Sequence, residues 1–359
     1  MTGIIVKNNT EKTHASMINM LTYYEDVMAR NIAYSAAEEA LMELSVDGKY
    51  RTDGNWVITQ RQIGGIDSFH VAENAAGSID VDVRSRYGNS HYLIRSQFLI
   101  QDAIEPTSAL GFHDQNIEFG FSGNSIVIDG RDHDLNKQVI AGGDVLPAIT
   151  VATQSDANEA INESSDSDHH LIGAGASPSV VVRNDITNPK DIIDDLEEHI
   201  DVSITQTSFS GNQTFGTSAD PQNTYIKPSG SNKNVSFSGD VTAHGMLFID
   251  GNLSTSGNFT VNGILVVKGS AEFSGDLTVN GAILVWQQYN EEHTFSVSAN
   301  NIDILGAVLI SGAGREKEFD ISSNQCRIRY SSEAISNAFS IVGAAPDFVQ
   351  LKWFEQKSL

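Results

Sequence analysis

A run of acidic and amide side chains near the middle of the chain could bind a hard cation. Its members are Asp129, Asp132, Asp134 and Asn136. The last three alternate with other residues, so their oxygens fall at the first, third and fifth positions of a calcium-binding loop. The match ends there, because Lys137 stands where that loop needs a glycine and Gly143 where it needs a bidentate glutamate. The sequence therefore predicts an Asp-rich turn and no bound cofactor, while a calcium ion held in another geometry stays open as the alternative.

Histidines supply two further candidates for chemistry. His169 and His170 follow Asp166 and Asp168 and could begin a metal site, but the segment is polar and we expect it to face water. His244 stands at an outward position of a predicted strand, where an imidazole could act as a general base, although the sequence suggests no partner for it. Nucleophile-elbow, phosphate-loop and HExxH motifs are absent from the sequence. We therefore predict that the protein is not an enzyme.

A glycine repeat defines the element that must position these side chains. Its members, each six residues after the last, are Gly239, Gly245, Gly251, Gly257, Gly263, Gly269, Gly275 and Gly281. The second and fourth positions after each glycine are mostly apolar and their neighbours polar, which is typical of short strands with one buried face. A Ser-Gly-Asx motif recurs every eighteen residues, so three sides form one coil of a three-sided parallel β-helix.

Outward polar residues of this repeat include several asparagines. They are Asn252, Asn258, Asn262 and Asn280. Asparagines that recur at the same position of successive coils can bond to one another, so we expect ladders that cap the surface. Binding of a ligand is the alternative use of the same ladders.

The composition limits the partners of the chain. Its 359 residues carry 46 acidic and 22 basic side chains, a formal net charge of −24. That balance argues against nucleic acid and anionic lipid as partners, because both need a basic surface. Cys326 is the only cysteine, which excludes an intrachain disulfide, and its strand-like neighbours predict that it is buried. The sequence has no apolar run long enough to span a membrane.

The N-terminal region predicts a long helix followed by strands. Residues 13–45 carry an apolar stripe at helical spacing, and the residues expected to pack this helix are Met17, Leu21, Tyr24 and Met28. Four alternating segments follow, and they predict an antiparallel meander: 55–61, 68–74, 78–87 and 91–100. A helix of this length has no helical partner in the sequence, so it must lie along the sheet or pack within an assembly.

These patterns predict an α+β N-terminal unit followed by a parallel β-helix with about 18 residues per coil. The predicted division is a helix plus antiparallel sheet over 1–103, a mixed insert or connector over 104–203, the β-helix over 204–345 and a C-terminal strand or tail over 346–359.

Several segments together resemble PilX-type minor pilins, which are associated with type IV pili. Residues 29–41 (ARNIAYSAAEEAL) are similar to the helix that follows the membrane-spanning start of those proteins. The glycine-phased coils of those proteins are similar to residues 263–267 (GILVV) and 281–285 (GAILV). Their last strand is similar to residues 328–335 (IRYSSEAI), and their closing Trp-x-Glu motif is similar to residues 351–355 (LKWFE). The prepilin cleavage site and the apolar first half of the pilin helix are missing. The glycine coils alone also resemble bactofilins, which are cytoplasmic polymer-forming proteins.

The pilin resemblance implies a non-enzymatic structural or adhesive protein at a bacterial cell surface. Its N-terminal helix would anchor it or assemble it with itself or other pilin-like subunits, and a rigid β-helix would face outward toward a surface glycan or protein ligand. The native form would be tethered through a membrane segment that the present chain lacks, which would make this chain a soluble truncation. The alternatives are a bactofilin-like cytoplasmic scaffold and a β-helix protein that binds or acts on carbohydrate.

Overall fold

The computed structural model describes residues 2–46, 50–52, 54–61, 65–73, 78–101, 106–231, 233–288, 293–312, 317–343 and 347–358. The chain divides into two compact units. One contains the N-terminal 102 residues together with the C-terminal strand, and the other contains the chain between them. The predicted domain borders at 103–104 and 345–346 lie outside the described residues, and the border at 203–204 falls within a strand.

The first unit is a long helix on an antiparallel sheet, as predicted. Helix α1 is Thr2–Val46. The sheet has five described strands, which lie side by side in the order in which they are named next. Its strands are β1 Val57–Gln60, β2 Ile66–Glu73, β3 Ile79–Tyr87, β4 Ser90–Gln101 and β23 Asp347–Ser358. The predicted four-strand meander is therefore present, and the C-terminal strand adds a fifth strand beside β4.

Helix α1 packs on this sheet through small side chains of its C-terminal half. The buried helix residues are Ala29, Ile32, Ala33, Ala36, Ala37, Ala40 and Leu44. They meet an apolar face that includes Phe69, Val81 and Ile94. Alanines at helical spacing let the helix backbone come close to the sheet, so the docked half of α1 forms the core of this unit.

The second unit is the predicted parallel β-helix. Its strands are β5 Leu110–Phe112, β6 Ile117–Gly123, β7 Ile126–Asp129, β8 Ile149–Val151, β9 His169–Ile172, β10 Val180–Val182, β11 Val202–Ile204, β12 Ser208–Phe209, β13 Gln213–Phe215, β14 Thr224–Ile226, β15 Asn234–Phe237, β16 Val241–Ile249, β17 Asn252–Thr255, β18 Phe259–Val267, β19 Ala271–Phe273, β20 Leu277–Gln287, β21 His293–Gly312 and β22 Lys317–Arg329. Its helices are α2 Gln154–Glu163, α3 Pro189–Leu196, the 3₁₀ turn Glu197–His199 and α4 Ser332–Val342.

The register shows how the glycine repeat winds the chain. Val241 pairs with Phe259 and Phe259 with Leu277, each in parallel and eighteen positions on. Gly245, Gly263 and Gly281 form one column at a corner of the coil, with φ between 107° and 140°. That region of φ suits glycine, and a side chain on Gly263 would collide with the backbone oxygen of Gly245. The repeat therefore marks corners where the backbones of successive coils approach closely.

Coils that lack the six-residue phasing extend the same stack. Strand β21 pairs with β22, with Ile302 opposite Cys326, and the glycine column continues at Gly306 beside Gly281. The core of the stack is aliphatic and aromatic, and the Phe295 and Phe319 rings stack at 5.4 Å. Cys326 is buried as predicted, and burial raises the pKa of its thiol to about 12.

The segment treated in the sequence as a mixed connector supplies further coils of this β-helix. Strands β6 and β7 pair in parallel with β22, and β5 pairs with β21. Strands β8, β9 and β10 continue the stack beyond them. Residues 110–182 therefore follow residue 329 along the β-helix axis, although they precede it in the chain.

Helices cover parts of the stack. Helix α2 packs on β6, β8 and β10 and buries Ala157 and Ala160 against the core. Helix α4 runs beside β16, β18 and β20, and α3 packs on β20 and β21. The outward side chains of Met246 and Phe248 are consequently buried.

Candidate functional site

The N-terminal half of α1 has an exposed apolar surface. Met17, Leu21 and Tyr24, expected to pack this helix, are 65%, 59% and 52% exposed, and Met28 is half-buried. Tyr24 has a ring contact of 6.0 Å with Tyr87, where the docked half of the helix begins. The predicted packing residues Met17, Leu21 and Tyr24 therefore do not lie in the core of this unit.

This apolar surface is wider than the predicted stripe. Its exposed residues, which we call the N-terminal apolar surface, are Met17, Ile18, Met20, Leu21, Tyr23, Tyr24 and Val27. At roughly 100° per residue they cover more than half of the helix circumference. Among the described residues, no helix is long and apolar enough to cross a membrane.

A carboxylate at the end of the chain joins the C-terminal strand to α1. Arg30 donates to Oε2 of Glu355 at 3.1 Å, and the Tyr92 hydroxyl donates to the same oxygen at 2.6 Å. The Tyr34 hydroxyl donates to Oε1 of Glu355. This role of Glu355 was not predictable from the closing motif, because its three donors lie more than 260 positions away in the chain. Trp353 of the same motif lies in β23.

Asparagine ladders run along the outside of the β-helix. The Asn280 amide donates to Asn262 at 2.8 Å, one coil away. The Asn258 side chain accepts from the backbone of Asp276 at 3.3 Å, and Asp240 accepts from the backbone of Asn258 at 2.9 Å. These bonds satisfy polar groups at the coil corners. The ladders thus support the capping interpretation of the outward asparagines.

The Asp-rich run forms an anchored loop. Asp129 accepts three bonds from the Arg131 guanidinium, at 2.9, 3.2 and 2.6 Å. Asp132 accepts from the backbone and hydroxyl of Ser332, the first residue of α4, at 2.9 and 2.8 Å. Asp134 accepts from the backbone of Gln138 at 2.8 Å. Each carboxylate is directed to a protein donor rather than to a shared centre.

Asn136 and the candidate histidines are not grouped with other metal-ligating side chains. Asn136 is exposed and its backbone oxygen accepts from Gln138. His169 is buried beside Phe121, whereas His170 is exposed, so the expectation that both face water is wrong for His169. His244 is half-buried in β16, opposite Asn262. Among the described residues no three His, Cys, Asp or Glu side chains are arranged to hold a metal ion.

Comparisons with known proteins find similarity in a solved structure but not in sequence. The crystal structure of the competence-associated pilin ComZ from Thermus thermophilus is similar to this chain, with a TM-score of 0.32 and 9% identity, over 93% of this chain and 98% of that one. No protein-family model matches, and no curated protein matches. A similarity of this size does not place the chain in a family.

Proposed function

We propose that the protein is a non-enzymatic, pilin-like structural protein of a bacterial cell surface. In this proposal the N-terminal apolar surface packs against helices of like subunits, either itself or other pilin-like proteins. The β-helix is the rigid module that contacts the surroundings. The observation that carries the proposal is the exposure of Met17, Leu21 and Tyr24 on a helix whose other half is docked on a sheet.

Burial of this surface would favour assembly. A fully buried Leu or Met side chain contributes about 1.5–3 kcal/mol relative to an exposed one. Large apolar side chains spread over more than half of a helix are costly in water, and surfaces of this kind mark interaction sites. The sequence segments that resemble minor pilins, at 29–41 and 351–355, lie in the same unit and meet through Arg30, Tyr34 and Glu355.

A helix over one strand edge of the β-helix disfavours the alternative of an end-to-end polymer. A polymer of stacked coils needs open strand edges at both ends. Helix α2 packs on β6, β8 and β10, and Asp156 at its first turn accepts from the backbone of Ile117 in β6 at 3.0 Å. A second copy could pair with β6 at this edge only after α2 had moved.

Photo-crosslinking in the producing bacterium tests this function. A photoreactive residue at Leu21 should crosslink to another copy or to another pilin-like subunit, whereas one at exposed Val182 of the β-helix should not. Leu21→Glu should remove the protein from the surface fraction, and Asn19→Glu, on the polar side of the same turn, should not. Crosslinks only to soluble cytoplasmic proteins, or unchanged surface retention of Leu21→Glu, would contradict the proposal.

A further inference from the structure

One row of side chains crosses the sheet of the first unit on the face opposite α1. Phe354 lies opposite Arg95, Arg95 opposite Asp82, and Asp82 opposite His70. The Trp56 ring follows at 5.6 Å from the His70 ring. Four strand spacings of about 4.8 Å make this row about 19 Å long. An aromatic ring therefore stands at each end, with charged and polar groups between.

The two aromatic ends differ in accessibility. The Arg84 guanidinium covers Trp56 at 4.1 Å from the ring centroid. Phe354 is 50% exposed, and the Arg95 side chain opposite it is 59% exposed. Phe354 is thus an apolar ring presented to solvent beside polar groups, on a face that α1 does not cover.

A depression of about 370 Å³ adjoins this ring. It is lined by Asp80, Asp82, Arg95, Ser96, Gln97 and Phe354. Its size lies at the lower end of the range of small-ligand sites. Arg95 lies 3.5 Å from Asp82, and the Gln97 amide donates to Asp80 at 3.1 Å. These contacts hold the planar groups in place.

Arg95 and Gln97 offer more hydrogen-bonding capacity than these contacts use. A guanidinium has five N–H donors, and a side-chain amide has two donors and an acceptor oxygen. Neighbouring hydroxyl groups of a sugar can donate to a carboxylate and accept from a guanidinium or amide at the same time. The described lining residues carry two carboxylates and one guanidinium, a net negative charge that disfavours an acidic ligand.

We propose that this depression binds a neutral saccharide. One face of the sugar ring, where the C–H groups lie, stacks on Phe354, because the face of an aromatic ring is electron-rich and attracts slightly positive C–H groups. The hydroxyl groups bond to Asp82, Arg95 and Gln97. This site lies in the sheet, and it does not depend on assembly through α1.

Saturation-transfer NMR and calorimetry on the full chain test the site. The probes are glucose, galactose, N-acetylglucosamine and their disaccharides, with glucuronate as an acidic comparison. At least one neutral sugar should bind with a millimolar Kd, and glucuronate should bind about tenfold more weakly. Phe354→Ala and Gln97→Ala should each weaken binding by about tenfold, whereas Phe354→Trp should retain it. Ile58→Ala, which removes an exposed apolar side chain from the same sheet face outside the depression, should have no effect.

Four results would overturn the inference. They are no transfer to any neutral sugar, equal binding of glucuronate, binding that survives both Phe354→Ala and Gln97→Ala, and a dimer that forms through this face and leaves no room for sugar. Unfolding curves of each variant show whether a loss of binding reflects a loss of fold, and Gln97→Ala provides a second readout if Phe354→Ala unfolds.

Discussion

The Tyr92 hydroxyl donates a 2.6 Å hydrogen bond to Oε2 of Glu355, across 263 positions of sequence. Arg30 of α1 reaches the same oxygen. The contact joins the fourth strand, the C-terminal strand and the helix at one carboxylate. The last strand is therefore held at its neighbouring strand by the backbone ladder and at the helix by these side chains.

We expect Tyr92 to ionise late. Burial first, then the hydrogen bond and the negative charge of Glu355, raise the pKa of Tyr92 to about 12. The folded state therefore favours the neutral phenol. The unfolded chain ionises near the ordinary value of 10.0, so the free energy of unfolding should fall as the pH rises from about 10 to about 12. Ultraviolet difference titration of the wild type against Tyr92→Phe isolates this group.

Glu355→Gln is the matched variant for that titration. It removes the negative charge but leaves the phenol partly buried, so the pKa of Tyr92 should move toward 10 without reaching it. An unchanged titration in Glu355→Gln would show that the Tyr92–Glu355 contact is absent in solution.

Gly263→Ala should destabilise the β-helix by about 2–4 kcal/mol. Gly263 has φ +140, and the new methyl group would collide with Gly245 on the neighbouring coil. Chemical denaturation measures the loss. Thr260→Ala changes an outward residue of the same strand and should alter stability by less than about 0.5 kcal/mol. Equal effects of the two variants would mean that this corner tolerates a side chain.

The glycine repeat predicted the β-helix because its period records where the backbone turns. The coils of residues 110–182 were not predicted, because these residues have no such period. Their position in the stack follows from the pairing of β6 and β7 with β22. The stripe of α1 was readable, but which half would be docked was not, because Met17 and Ala36 fit the same periodicity. The role of Glu355 and the row from Phe354 to Trp56 depend on strand register, which a single sequence does not fix.

Phe319→Ala should loosen the coils of residues 110–129 most. Its buried ring lies 5.2 Å from Phe112 and 6.2 Å from both Phe119 and Phe121. A cavity there costs about 3–5 kcal/mol, and the loss falls on the junction with those coils. Native-state hydrogen exchange should show a larger loss of protection in 110–129 than in 241–267.

Phe259→Ala supplies the opposite case for that measurement. Phe259 is buried between Phe237 and Phe273, at 6.1 and 5.3 Å. Its removal should lower protection in 241–267 first. If both variants lowered protection equally in both regions, the stack would open as one unit and the junction at β22 would have no separate stability.

Calcium should leave the melting temperature of the protein unchanged within about 1 °C. A ligand that binds only the folded state raises stability, so an occupied site would appear as a higher Tm. Asp129, Asp132 and Asp134 each accept bonds from protein donors, and among the described residues they form no group that could hold an ion. Asp132→Ala should instead lower stability by about 1–2 kcal/mol, because it removes the partner of Ser332 at the start of α4. Asp220→Ala, which changes an exposed residue, is the control and should have little effect on stability. A calcium-dependent rise in Tm that Asp132→Ala abolishes would contradict this prediction and restore the metal-binding interpretation.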